Sequence, residues 1–159
     1  MSVEQAWTDF KAVDADVRAL IVSAAGMLPA ERQKQLLIAL NNLEVALLRL
    51  PDIQPGDEEE QGPSTYVKWR EVLRASFPEL GLFHMAAPNA EGSREETMLH
   101  DAHDDLADIL NGLDRFAWFE REQGWENAAW EAKFDYETHL GSHISSLRAY
   151  VDRLRFLGP

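Results

Sequence analysis

The chain has 159 residues, of which 45% are hydrophobic and 27% are charged, so one domain of this length can bury a core without metal or disulfide support. It contains no cysteine, which excludes disulfides and thiolate metal sites and favours the reducing cytoplasm. Its formal net charge of −13 argues against binding to nucleic acid or to an anionic membrane surface, and it would attract a basic protein partner.

The first third of the chain predicts two antiparallel helices. Apolar residues recur at helical spacing over residues 4–25, and Gly26 favours an end there. A second helix is predicted over residues 29–50, because it opens with a proline that suits a first turn and is followed by a proline that stops it. The short connection favours antiparallel packing. The two apolar stripes comprise Trp7, Phe10, Val13, Val17, Leu20, Ile21 and Ala24, and then Leu36, Leu37, Leu40, Leu43, Leu47 and Leu50.

The middle of the chain predicts connecting segments rather than a second domain. Residues 51–64 are rich in proline, glycine and acidic residues, which indicates a loop. A short amphipathic helix is predicted over residues 64–77, and residues 79–92 read as an irregular crossing. No segment alternates convincingly as a strand. The opening residues lack the pattern of a secretion signal, and no run approaches the roughly 18 apolar residues of a membrane span.

The last third of the chain predicts two further long helices. Ser93 and Glu96 match a capping box, which would start a helix running to about Gln123. Gly124 breaks the pattern, and the last helix is predicted over residues 125–156. We therefore expect an all-α fold over residues 1–159, a bundle of four long helices plus a short connecting helix. Its predicted core comprises Phe10, Val17, Leu40, Leu43, Leu47, Leu106, Ile109, Leu113, Leu140, Ile144, Leu147 and Val151.

Four aspartates cluster near the start of the third long helix. At helical spacing Asp101, Asp104, Asp105 and Asp108 share a wedge that faces away from the apolar stripe. Such a wedge is usually a solvated acidic face. The alternative interpretation is a docking face for a basic protein.

Two histidines on the last helix predict a metal site as an alternative. His139 and His143 are four residues apart, a spacing at which two imidazoles can chelate a transition metal. His100 and Asp104 have the same spacing on the preceding helix, so antiparallel packing could bring four ligands together. The pair lacks the glutamates of known helical metal motifs, and these histidines could instead form hydrogen bonds across a helix interface. Gly141 between them indicates a close helix crossing or a local kink.

Short stretches of the last two helices carry a family resemblance. They are Leu106–Leu110, Gly124, Trp130 with Phe134, His139–His143 and Leu147–Ala149. Over about residues 99–154 the chain resembles a bacterial family known as domain of unknown function 5063, although Leu140 stands where that family often has tryptophan. The resemblance implies a small all-helical fold and brings no activity, cofactor or catalytic residue with it.

No catalytic template is present, because the chain lacks a phosphate-binding glycine loop, a nucleophile elbow and any cysteine nucleophile. We therefore expect a non-enzymatic acidic interaction protein, such as an adaptor, inhibitor or immunity-type partner, without a cofactor. The alternative is a metal-binding bundle whose ion could activate water for hydrolysis. A homo-oligomer is a further expectation, since Trp118, Trp125 and Trp130 are more aromatic surface than a helix junction needs.

Overall fold

A computed structural model describes residues 2–52, 62–88 and 95–157 of the chain. They form six α-helices, a short 3₁₀ turn (Ala24–Gly26) after α1, a two-stranded antiparallel hairpin and a π-helical turn, so the protein is predominantly helical as predicted. The elements in order are α1 (Val3–Ser23), α2 (Pro29–Leu48), α3 (Tyr66–Ser76), β1 (Leu82–Pro88), β2 (Glu95–Asp101), α4 (Ala102–Gln123), α5 (Trp125–Asp135), the π turn (Tyr136–Leu140) and α6 (Gly141–Leu157).

Helix α4 lies at the centre of the fold. It packs against α3, α5 and α6, while α1 packs on α2 and α2 packs on α6. Half of its 22 residues are buried, including Leu106, Ile109 and Phe116. Every residue of the predicted core is buried, because the apolar stripes of the helices converge on one continuous cluster.

The hairpin corrects the prediction that no strand is present. Residues that we expected to be an irregular crossing form β1, which pairs with β2 in a register that places Leu82 opposite Asp101 and Met85 opposite Met98. Phe83 anchors the two strands to the helices, because its buried ring stacks on Tyr150 of α6 with ring centroids 4.3 Å apart.

The start of α4 also differs from the prediction. The helix begins at Ala102, and Glu96, which was expected to close a capping box, lies on β2. Ser93 lies outside the described residues. Asp101 provides the cap instead, since its side chain accepts a hydrogen bond from the backbone N–H of His103. A capping-box pattern is purely local, whereas strand pairing depends on a partner from earlier in the chain.

The last predicted helix is interrupted. Its residues form α5, the π turn and α6, so the single long helix expected over 125–156 is divided at Tyr136–Leu140. Of the predicted loop, residues 53–61 lie outside the described residues, and the flanking residues have no regular structure.

Asp114 on α4 joins three elements through one carboxylate. It accepts hydrogen bonds from the Thr65 hydroxyl at 2.7 Å, the Trp69 indole N–H at 2.6 Å and the Arg18 guanidinium at 2.5 Å. Burial raises the pKa of this carboxyl, but the three hydrogen bonds and the Arg18 charge outweigh burial and hold it below its usual range. The carboxylate therefore stabilises the fold most when it is charged.

We predict that Asp114→Asn lowers the free energy of unfolding at pH 7 by about 1–3 kcal/mol, because charge-assisted hydrogen bonds are lost. A carboxyl whose pKa is depressed by folding stabilises above the unfolded pKa of about 3.9, and this contribution disappears as the pH falls through the folded pKa. The difference between wild type and variant should therefore shrink below about pH 4.

The measurement is urea denaturation at several pH values, with Asp16→Asn as the control because Asp16 is an exposed aspartate on α1. The control should unfold like the wild type at every pH. A gap between Asp114→Asn and wild type that is unchanged from pH 7 to pH 3 would contradict the assigned role of the charge.

Candidate metal centre

The candidate site lies where α4 meets the π turn and the first turn of α6. Helices α4 and α6 bury their apolar stripes against each other, which leaves polar residues along the edges of the contact. Gly112 of α4 lies against the end of α5 and the π turn, which approach α4 closely because Gly112 has no side chain. An added Cβ there would lie 2.6 Å from the Leu140 Cδ1 and 3.3 Å from Asp135 Oδ2.

His139, His143 and Asp108 come together at this edge. The Nε2 atoms of the two imidazoles are 3.0 Å apart, and the Nε2 of His143 is 3.7 Å from Asp108 Oδ2. One ligand atom from each residue lies within 4.8 Å of the others. Two imidazole nitrogens and one carboxylate oxygen therefore point towards a common volume.

The opposite edge of each imidazole faces a carboxylate. His143 Nδ1 is 2.7 Å from Asp105 Oδ1, and His139 Nδ1 is 3.4 Å from Asp135 Oδ1. Because a carboxylate only accepts hydrogen bonds, the Nδ1 of His143 carries the hydrogen of its 2.7 Å contact with Asp105. When the His143 ring is neutral, its Nε2 presents a lone pair towards His139 Nε2, and the 3.0 Å contact is then completed either by a hydrogen carried on His139 Nε2 or by a metal ion bound to both rings.

The two outer carboxylates are almost inaccessible to water, because Asp105 is only 3% exposed and Asp135 only 6% exposed. The hydrogen bond with Asp105 raises the pKa of His143, with further increases from the charges of Asp105, Asp108 and Asp135, and these outweigh the opposing effect of burial. Burial raises the pKa of Asp108, whose neighbouring histidines oppose that increase. This edge of the helix contact therefore favours a bound positive charge.

The π turn sets the position of His139 relative to α6, and Gly141 makes the turn possible. The Gly141 N–H donates to the Tyr136 carbonyl, five residues earlier. A Cβ at position 141 would lie 2.6 Å from that carbonyl oxygen. Of the two explanations predicted for this glycine, the structure shows the local kink, and π turns of this kind recur at functional sites.

The predicted metal ligands are only partly brought together. His139 and His143 meet as expected, but Asp104 lies outside the cluster, because its Oδ1 accepts a 2.6 Å hydrogen bond from the Tyr66 hydroxyl and lies 2.6 Å from Arg70 Nε. His100 stands on β2, and its Nδ1 is 3.4 Å from Asp105 Oδ2, so it reaches the cluster through that carboxylate rather than as a ligand.

Asp108 takes the place that was predicted for Asp104. It stands one helical turn further along α4 than Asp104, and spacing alone predicts both as members of the same wedge. Whether Asp104 or Asp108 meets the two histidines depends on the direction from which α6 packs against α4. Sequence reasoning therefore included Asp108 among the acidic residues of the wedge but did not place it beside the two histidines.

The four-aspartate wedge is not one solvated face, which corrects that expectation. Asp101 caps α4, and its Oδ2 lies 3.4 Å from an Arg70 nitrogen. Asp105 is 3% exposed and contacts His143. Asp104 is partly exposed and Asp108 faces the histidines, so these aspartates mainly bind groups within the chain.

The tryptophans predicted to mediate self-association are partly buried in the folded chain. Trp118 and Trp125 pack against the main core, and Trp130 stacks on Phe134 with ring centroids 5.2 Å apart. Self-association stays a prediction.

Comparisons with known proteins identify the fold only. No family model and no curated protein matches the chain. Among solved structures it is similar to protein BF1032 from Bacteroides fragilis, with 18% sequence identity over 92% of this chain and 90% of that chain, and a TM-score of 0.72. The resemblance to the family of unknown function therefore stays a prediction. In the described part of the chain, no helix is long and apolar enough to cross a membrane.

We predict that Gly141→Ala destabilises the protein by about 1–3 kcal/mol, because the new methyl group must displace the Tyr136 carbonyl and distort the π turn. Chemical denaturation measures the effect. Gly26→Ala is the matched control, since an added Cβ there has no neighbour within 4 Å, and it should change stability by less than about 0.5 kcal/mol. Equal stability of the two variants would show that the turn tolerates a side chain.

Proposed function

We propose that this protein binds a divalent first-row transition-metal ion through His139, His143 and Asp108. The observation that supports the proposal is the pair of Nε2 atoms 3.0 Å apart, each belonging to a ring whose Nδ1 faces a carboxylate. Metal-binding histidines almost always donate their second ring N–H to a carboxylate or carbonyl, which fixes the tautomer and the ring orientation. Here Asp105 is such a partner for His143, and the Asp135 carboxylate lies 3.4 Å from His139 Nδ1.

The charges of the site favour a cation. Asp105, Asp108 and Asp135 place three carboxyl groups around the two imidazoles. Among the described residues, Asp135 alone of the three has a guanidinium partner nearby, since its Oδ2 lies 2.9 Å from an Arg115 nitrogen. A divalent ion between the imidazoles would offset the remaining negative charge. Nitrogen and carboxylate ligands together suit Zn²⁺, Ni²⁺, Co²⁺ and Fe²⁺.

The competing proposal is the acidic interaction protein, which is supported by the net charge of −13. Asp101, Asp104 and Asp105 weaken it, because their carboxylates already have partners inside the chain. Water activation by the bound ion, and hence hydrolysis, is an extension of the metal proposal that requires an open coordination position.

The metal proposal predicts that Zn²⁺, Ni²⁺ or Fe²⁺ raises the melting temperature of protein purified without a histidine tag. An ion at 100 times its Kd stabilises the native state by about 2.7 kcal/mol, which corresponds to roughly 5–10 °C for a chain of this size. Elemental analysis of the purified protein should find the ion in a molar ratio near one.

His139→Ala and His143→Ala should abolish both the bound ion and the temperature shift, because each removes a ligand. His84→Ala is the matched control, since His84 is exposed on β1 and away from the cluster. If none of the three ions changes the melting temperature of the wild type, the proposal is refuted. The two histidines would then be a hydrogen-bonded pair at a helix crossing.

A further inference from the structure

The hairpin is attached to the helices through a stack of three rings. Phe83 is buried, whereas most of the other hairpin side chains that the structure describes are exposed. The Phe83 ring stacks on that of Tyr150 from α6, with centroids 4.3 Å apart, and on that of His100 from β2, with centroids 5.2 Å apart. The position of the His100 ring therefore depends on the docking of the hairpin against α6.

One edge of the His100 ring faces a carboxylate that lies behind the candidate metal site. Its Nδ1 lies 3.4 Å from Asp105 Oδ2. Asp105 is 3% exposed, and its Oδ2 has no hydrogen-bond partner within the part of the chain that the structure describes. A buried carboxylate oxygen without a donor is unfavourable, so an N–H on His100 Nδ1 is the group available to satisfy it after a small movement of the ring.

The second oxygen of the same carboxylate orients a proposed metal ligand. Asp105 Oδ1 lies 2.7 Å from His143 Nδ1. Because the two oxygens belong to one planar group, a donor that holds Oδ2 towards β2 also holds Oδ1 towards α6. An ion on Nε2 of His143 would withdraw electrons from the ring and strengthen the hydrogen bond from its Nδ1 to the carboxylate. The hairpin and the ion therefore act on one carboxylate from opposite sides.

We infer that His100 is a positioning residue of the proposed ion site. Through Asp105 it holds the His143 ring in the orientation that an ion requires, so the docked hairpin and the bound ion stabilise each other. The ion-binding part rests on the proposed metal function. Such coupling is reciprocal, because the factor by which docking of the hairpin tightens ion binding is also the factor by which the ion favours docking.

Two substitutions of His100 separate its N–H donor from its ring. His100→Phe keeps a ring that can stack on Phe83 but has no N–H, whereas His100→Asn places an N–H donor near the position of Nδ1 but has no ring. In calorimetric titrations of the full-length protein with Zn²⁺, His100→Phe should raise the Kd at least about fivefold, since the partners of metal-binding histidines influence affinity strongly. His100→Asn should stay within about twofold of the wild type.

His84→Ala is the control for these titrations, because His84 is exposed on the same hairpin, and it should leave the Kd unchanged. A wild-type Kd for His100→Phe would overturn the positioning role. Equal weakening by His100→Phe and His100→Asn would assign the effect to packing and would overturn the role of the N–H donor.

Amide hydrogen exchange tests the reciprocal effect on the hairpin. Zn²⁺ should slow the exchange of β1 and β2 amides several-fold in the wild type, measured on amides that exchange faster than those at the centre of α4 and hence by local opening. In His100→Phe, Zn²⁺ should still protect the first turn of α6 but no longer the hairpin. Exchange of the wild-type hairpin that is unaffected by bound Zn²⁺ would overturn the coupling.

A measurement without any ion separates this role of His100 from the proposed function. The proton on His143 Nδ1 should give a downfield NMR signal that exchanges slowly with water, because it is bonded to a buried carboxylate. His100→Phe should accelerate that exchange several-fold, and His100→Asn should not. An unchanged signal in His100→Phe would overturn the positioning role, whereas failure of Zn²⁺ and of the other ions in the melting experiments to bind would overturn the proposed function itself.

Discussion

A buried carboxylate constrains the arrangement of the site and its surroundings. Asp105 is 3% exposed within the contact of α4 and α6, where an uncompensated charge would cost several kcal/mol. Its Oδ1 lies 2.7 Å from His143 Nδ1, and its Oδ2 lies 3.4 Å from His100 Nδ1. One carboxylate thus determines which edge of the His143 ring points inward, and it links α6 to the hairpin. Because Nδ1 is engaged, Nε2 faces His139 and Asp108.

Aspartates of helix α4 form polar contacts with several of the elements around it. Asp101 caps its first turn, Asp105 contacts α6, and Asp114 accepts hydrogen bonds from α1, from α3 and from the residue before α3. The apolar stripe between these residues supplies most of the driving force for packing, whereas the aspartates select one arrangement among the alternatives that an apolar stripe permits. Aspartates that the sequence indicates as one solvated face of α4 therefore mainly bind groups within the fold.

The described hairpin shows that tertiary contacts can override a local sequence pattern. The capping-box match at Ser93 and Glu96 predicted a helix, but β2 pairs with β1, and its His100 ring stacks on Phe83. Phe83 in turn stacks on Tyr150, which lies 67 residues later in the chain. Alternation over so short a segment is a weak signal, and its partner strand and covering helix are invisible to a window of a few residues.

The sequence by itself determined the helical class, the apolar stripes and the predicted core, because burial follows from a period of 3.6 residues that can be read along the chain. It also identified His139 and His143 as a pair, since their spacing places them on one side of a helix. Only the tertiary structure decided that Asp108 rather than Asp104 meets them and that Asp105 and Asp135 lie behind them. These choices depend on how α5, the π turn and α6 pack against α4, where Gly112 leaves room for Asp135 and Leu140, residues far away along the chain.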